Sequence, residues 1–165
     1  MIAVSDTTPL RYLLAIELEH LFAHLFDKVF IPTAVFNELT ESKTPDRVRR
    51  TILASPLWLE VRPLPHTLAI NRPVGLHQGE SESILLAEMI NADILLIDEH
   101  AGRAIAWNRN LLVSGTLGIL ERADTQGLLS DFSKTLKRLK ESGFYISSIL
   151  EKQLMQRHLS RLRDC

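Results

Sequence analysis

The chain has 165 residues, 45% of them apolar and 24% charged, with a net charge of −1 and one cysteine. That length suits one compact domain with its own core, and apolar runs such as ILLA and ILLI are too short to cross a bilayer. Cys165 alone excludes an internal disulfide or a cysteine-based zinc cluster, and the start MIAVSDTTPL lacks a basic leader, so a cytoplasmic protein is expected.

Residues 2–5 predict a short strand ending at Asp6, with Thr8 and Pro9 as cap and first residue of a helix. Leucines and phenylalanines then recur at helical spacing to Phe26, with a break at Glu17 to Glu19 between two short helices. VFIP (29–32) predicts a second strand, and Pro32 opens a helix that carries Glu38. Thr44-Pro45 restarts a helix to about Ala54, and WLEVRPL (58–64) alternates as an edge strand would.

The stretch from Pro65 to Gln78 reads as a loop. Beyond it a helix is expected from Glu80 to about Asn91, a buried strand at Ile94 to Ile97, a helix from about Glu99 to Trp107, and a short strand at Leu111 to Val113. SGTLGIL (114–120) starts another helix closed by Gly127. Ser130 is the expected cap of the next, and Ser148 with Glu151 makes a capping-box pattern for the last. Strands alternating with helices predict an α/β fold, since each parallel connection must cross over the sheet. One domain over 1–165 is expected, with about 146–165 as a C-terminal helical extension.

Charge is distributed unevenly. Residues 131–165 sum to about +4 and the remainder to about −5. Solvated faces of two amphipathic helices account for most of the basic residues; a rim holding a phosphate backbone is the functional reading. No GxGxxG or GxxxxGK[ST] occurs, which removes support for dinucleotide or Walker-type sites. The six histidines are dispersed, and no zinc site is expected from them.

Four acids stand where strand gives way to helix or a helix opens: Asp6, Glu38, Glu80 and Asp98. In open α/β sheets ligands bind beyond the carboxyl ends of the strands, so acids distant in sequence can share one cleft there. Each has a structural alternative. Asp6 and Asp98 can cap the helices that follow, Glu80 sits where a helix dipole favours negative charge, and Glu38 can be a surface residue. Glu82 shares the dipole argument and has less reason to face a cleft. If the four converge, repulsion demands a cation, and oxygen-only ligands favour Mg²⁺ or Mn²⁺ and phosphodiester chemistry. Arg103 is a candidate phosphate contact or an ion pair of Glu99; Thr7 and Thr8 can orient Asp6 or a metal-bound water, unless Thr8 only caps its helix; His100 is expected at the surface.

The order SDTTPL, IPTAVFNEL, GESESILLA, ADILLIDE and SGTLGIL resembles the PIN-domain family. More closely it is similar to the short prokaryotic group related to VapC-type toxins, from Met1 to about residue 145. The resemblance implies a three-layer α/β/α sandwich with a central, mainly parallel sheet, and a Mg²⁺- or Mn²⁺-dependent endoribonuclease. It further implies the toxin of a toxin–antitoxin pair, with RNA as substrate, a cognate antitoxin as partner, and a homodimer. The family's acidic quartet would fall on Asp6, Glu38, Glu80 and Asp98, with Glu99 as a following acid and Thr8 as the hydroxyl near the first Asp. Glu80 stands where many such toxins carry Asp, one methylene longer in reach. Two other readings compete: a catalytically inactive PIN-like binding or regulatory module, and a phosphatase or receiver-like domain with Asp6 as nucleophile or phosphoacceptor. The last lacks an acid at Thr8 and a clear late lysine.

Overall fold

The computed structural model describes residues 1–163; Cys165, and with it the expectation of an inert terminal thiol, lies outside the described residues. Five parallel strands form one sheet: β1 (Ile2–Ser5), β2 (Lys28–Ile31), β3 (Leu59–Val61), β4 (Ile94–Leu96) and β5 (Val113–Ser114). Their order is β3-β2-β1-β4-β5. β3 is an edge strand, in agreement with its alternating sequence, and β1 and β4 are interior strands, in agreement with their continuous apolar runs.

The chain divides into two compact units, Met1–Thr116 and a second beginning at Leu117. The first holds the sheet and the helices α1 (Thr7–Ala15), α2 (His20–Leu25), α3 (Thr33–Thr40), α4 (Asp46–Leu53), α5 (His66–Ala69), α6 (Gln78–Met89) and α7 (His100–Asn108). One face of the sheet presents Val4, Phe30, Leu95 and Ile97 to Ile84, Leu86 and Ala87 of α6 and Ala106 of α7. Side chains alternate along a strand, so Val29 and Ile31 turn to the opposite face, and both are fully buried. Leu10, Leu13 and Leu14 of α1 and Val48 and Ile52 of α4 are buried too, at the periodicity that predicts those helices. Glu17, at φ 65°, reverses the chain between α1 and α2 at the predicted break.

The second unit contains α8 (Thr116–Thr125, its first residue in the first unit), α9 (Phe132–Glu141) and α10 (Ser148–Arg163). Here some of the basic residues are paired. Arg157 lies on Glu121 and Arg161 on Asp124, while His158 stacks on Phe132 and meets Asp124 at 2.8 Å. Lys134, Lys137, Lys152 and Arg163 are exposed, in agreement with the reading of solvated helix faces.

Several boundaries move. α1 starts at Thr7, with Asp6 rather than Thr8 in the cap position, because the N–H of Asp6 is still bonded to Leu96 O across the sheet at 2.9 Å. α6 starts at Gln78, two residues before the expected Glu80, and the expected loop before it contains α5. β5 is Val113–Ser114 instead of Leu111 to Val113, in register with Leu95 and Leu96. The cap of α9 is Asp131, which accepts the Lys134 N–H at 2.9 Å, not Ser130. Ser147 Oγ accepts the Leu150 N–H at the start of α10, so the expected Ser148 box does not form, and Glu151 pairs with Lys140 instead. His20 and His24 form an HxxxH spacing that the view of dispersed histidines passes over. Their rings meet edge to face, and His24 Nδ1 lies 2.8 Å from His20 O.

Leu95 is fully buried in β4 between β1 and β5. Leu95→Ala is expected to cost about 2–5 kcal/mol of stability, read as a lower midpoint in urea with unchanged slope.

Candidate active site

The sheet reverses direction of winding between β1 and β4, which is where a ligand crevice forms at the carboxyl ends of the strands. Ser5 is in register with Leu96, so Asp6 and Asp98 leave these two strands one residue apart in register. Glu38 reaches the same region from the second turn of α3, which follows β2, and Glu80 from the first turn of α6. A cleft of about 500 Å³ opens there, lined by Asp6, Glu38 and Glu80 together with Thr7, Thr8, Arg11, Tyr12, His77 and Gln78.

Three of the four acids are held by a backbone N–H or a hydroxyl. Thr7 Oγ1 donates to Glu38 Oε2 at 2.5 Å, joining α1 to α3. The backbone N–H of His77 donates to Glu80 Oε2 at 3.1 Å, half of a capping box in which the acid is the third residue of its helix. Asp98 accepts from both the N–H and the Oγ1 of Thr116, at 2.9 and 2.6 Å. Asp6 occupies the cap position of α1 without making a side-chain cap bond, so simple helix capping does not explain it.

Asp6 is only 4% exposed. Burial pushes its carboxyl up to about 7; the Thr7 N–H pulls it back, and the charges of Glu80, Glu38 and Asp98 push it up further. The other three acids therefore all act electrostatically on Asp6. Asp98 is also raised by burial, against the lowering effects of its two Thr116 bonds and the Arg103 guanidinium. Asp98 and Arg103 do not line the cleft itself, and Glu99 is an exposed cap position of α7.

Two glycines make room for this arrangement. A Cβ on Gly79 would lie 2.7 Å from Glu38 Oε1, and one on Gly115 would lie 2.5 Å from Asp98 Oδ1. Glu82 is buried outside the cleft and links the helices that carry the acids. It accepts from Gln78 Nε2 at 2.8 Å and lies 3.5 Å from Arg72, with the Ala34 N–H of α3 at 3.4 Å. Among the described residues no three histidine, cysteine or acidic side chains are grouped closely enough to hold a metal ion as they stand.

Sequence reasoning missed Thr116, Arg11, Tyr12 and the backbone of His77. Thr7, Thr8, Arg11 and Tyr12 form one helical face opposite Leu10, Leu13 and Leu14, so periodicity already carried that signal. Nothing local marks Thr116 as the partner of Asp98, because the strand pairing that joins them is tertiary.

A family model described as DUF3368, a PIN domain, matches residues 2–160. The chain belongs to the PIN-domain family. A solved structure of similar fold is the PilT N-terminus domain protein SSO1118 from the hyperthermophilic archaeon Sulfolobus solfataricus P2. It is 20% identical, with a TM-score of 0.54, over 74% of this chain and 93% of that one. No match was found among curated proteins. The five-stranded parallel sheet flanked by helices is the α/β/α arrangement of PIN domains, which are generally nucleases. No helix among the described residues is long and apolar enough to cross a membrane.

The raised Asp6 pKa fixes the sign of a pH effect. Between the ordinary carboxylate value and about 7 the folded chain keeps a proton that the unfolded chain has lost, so this group lowers stability as pH rises through that window. Without added metal, Asp6→Asn is expected to melt about 5 °C or more above the parent at pH 8. The gain should shrink towards pH 5, where the parent's Asp6 is protonated. Equal melting temperatures at pH 8 would show that Asp6 carries no such burden.

Proposed function

We propose that this PIN domain is a Mg²⁺- or Mn²⁺-dependent endoribonuclease, the toxin of a toxin–antitoxin pair in the cytoplasm. The observation that carries the reading is the convergence of Asp6, Glu38 and Glu80 on one open cleft with Asp98 close enough to raise the Asp6 pKa.

The donor set fits a hard divalent cation. All four side chains offer oxygen, and burial of Asp6 beside the other three disfavours its ionisation unless positive charge is added. Asp6, Glu38, Glu80 and Asp98 are the residues that would hold it, once Glu38 and Asp98 turn from their threonine partners. Bound there, the cation would activate water and offset charge on the phosphoryl oxygens. The protein's own part is positioning: Thr7 and Thr116 hold carboxylates ready, and Arg11 in the cleft with Arg103 beside Asp98 offers guanidinium groups to phosphate. Thr8 lines the same cleft, and Glu99 adds negative charge at the start of α7.

Ile149, Leu159 and Leu162 are exposed on α10, apolar surface of the kind that an antitoxin segment or a second copy in a homodimer covers. One observation favours a second reading: three carboxylates are satisfied by protein donors and no metal-holding group is preformed among the described residues, as suits a catalytically inactive binding or regulatory module.

Purified protein freed of partners should cut a mixed RNA pool with Mn²⁺ or Mg²⁺ and not with EDTA, and Asp6→Asn should abolish cutting while remaining folded. Undiminished cutting by Asp6→Asn rejects its role; a folded, metal-loaded protein that cuts nothing favours the inactive module. Gly79→Ala tests the geometry separately. Alanine suits the helix better than glycine by about 1 kcal/mol, so stability should hold while the displaced Glu38 carboxylate lowers cleavage roughly 10- to 100-fold.

A further inference from the structure

Beside β5, α7 borders a second hollow of about 210 Å³, lined by His100, Arg103, Ala104, Trp107 and Val113. Positions 100, 103, 104 and 107 recur at helical spacing and share one face of α7. The hollow is smaller than the ~300–1,000 Å³ of clefts that enclose whole small molecules, and suits a single ring laid against an aromatic side chain. Trp107 is 71% exposed, leaving most of a large π surface in water.

Arg103 connects this hollow to the acids. Its charge acts on Asp98, and the position that a Cβ on Gly115 would take is 2.9 Å from an Arg103 guanidinium nitrogen and 2.5 Å from Asp98 Oδ1. Trp107 is one helical turn further along, about 6 Å down the axis. Glu99, the acid at the start of α7, is not among the residues that line the hollow.

We propose that the His100–Arg103–Trp107 face is a nucleobase-stacking subsite for single-stranded RNA. A base lies on the Trp107 ring while an adjoining phosphate meets Arg103 and His100. The inference rests on the nuclease reading for its substrate class. An aromatic platform beside a guanidinium is how proteins hold single strands with little regard to sequence, since every base has a π face. A second copy of this chain is the competing occupant, because Leu112 is also exposed nearby in sequence. One feature counts against it: β5 has only two residues with which to template strand pairing.

The test measures binding of a short fluorescein-labelled single-stranded RNA by anisotropy in EDTA, where no cutting intrudes. Trp107→Ala should bind roughly 5- to 150-fold more weakly, and Trp107→Tyr, which keeps a ring, should recover most of the affinity. On an RNA of the same length with abasic positions the Trp107→Ala penalty should vanish, because phosphate contacts alone remain. Unchanged RNA affinity in Trp107→Ala overturns the subsite, and a simultaneous change from dimer to monomer in sedimentation assigns the face to a second copy. Protein that cuts RNA but binds it independently of Trp107 loses the subsite and keeps the nuclease. Trp107-dependent binding without cutting keeps the subsite and removes the nuclease reading.

Discussion

Like charges gathered in a buried place are the constraint around which the sheet end is organised. A parallel sheet ordered β3-β2-β1-β4-β5 reverses its winding between β1 and β4, and that reversal opens the crevice where Asp6 and Asp98 emerge. The helices α3 and α6 then bring Glu38 and Glu80 to the same place. A core that bonded its acids to lysine or arginine would be more stable. Here the cleft acids are met chiefly by neutral donors, from Thr7 and the His77 backbone, while Thr116 and Arg103 attend Asp98. Neutral donors order a carboxylate without neutralising it, which leaves the negative charge available to a ligand.

The same requirement explains small details elsewhere. Gly79 and Gly115 each leave the space of a methyl group next to an acid, so their lack of a side chain serves the site rather than any turn. Glu82, buried and bonded to Gln78, ties the first turn of α3 to α6 and so couples the supports of two acids. Burial of Asp6 then makes the site sensitive to pH, because ionisation there is opposed both by desolvation and by its neighbours.

Fold and function carry different weights of support. At 20% identity the archaeal PilT N-terminus domain shares the path of the chain, and that likeness speaks to the arrangement of strands and helices alone. Function rests on the cleft: which acids meet, what holds them, and which cations of the protein stand beside them. The exposed ring of Trp107 belongs with them because Arg103 joins its surroundings to Asp98.

The sequence by itself determined the alternation of strand and helix, the burial of β1 and β4, and the identity of four acids at strand or helix ends, because these follow from local periodicity and breakers. It also pointed to the edge position of β3. It did not determine that Asp6 would lack a capping bond, that Thr7 would bind Glu38 rather than orient Asp6, or that Asp131 and Ser147 would displace Ser130 and Ser148 as caps. Neighbouring cap residues are nearly equal in local preference, so local sequence does not separate them. Only the tertiary structure decided which acids meet. Their proximity depends on strand order and register, and no interaction between residues close in sequence encodes the approach of Asp6 to Asp98 or of Asp98 to Thr116.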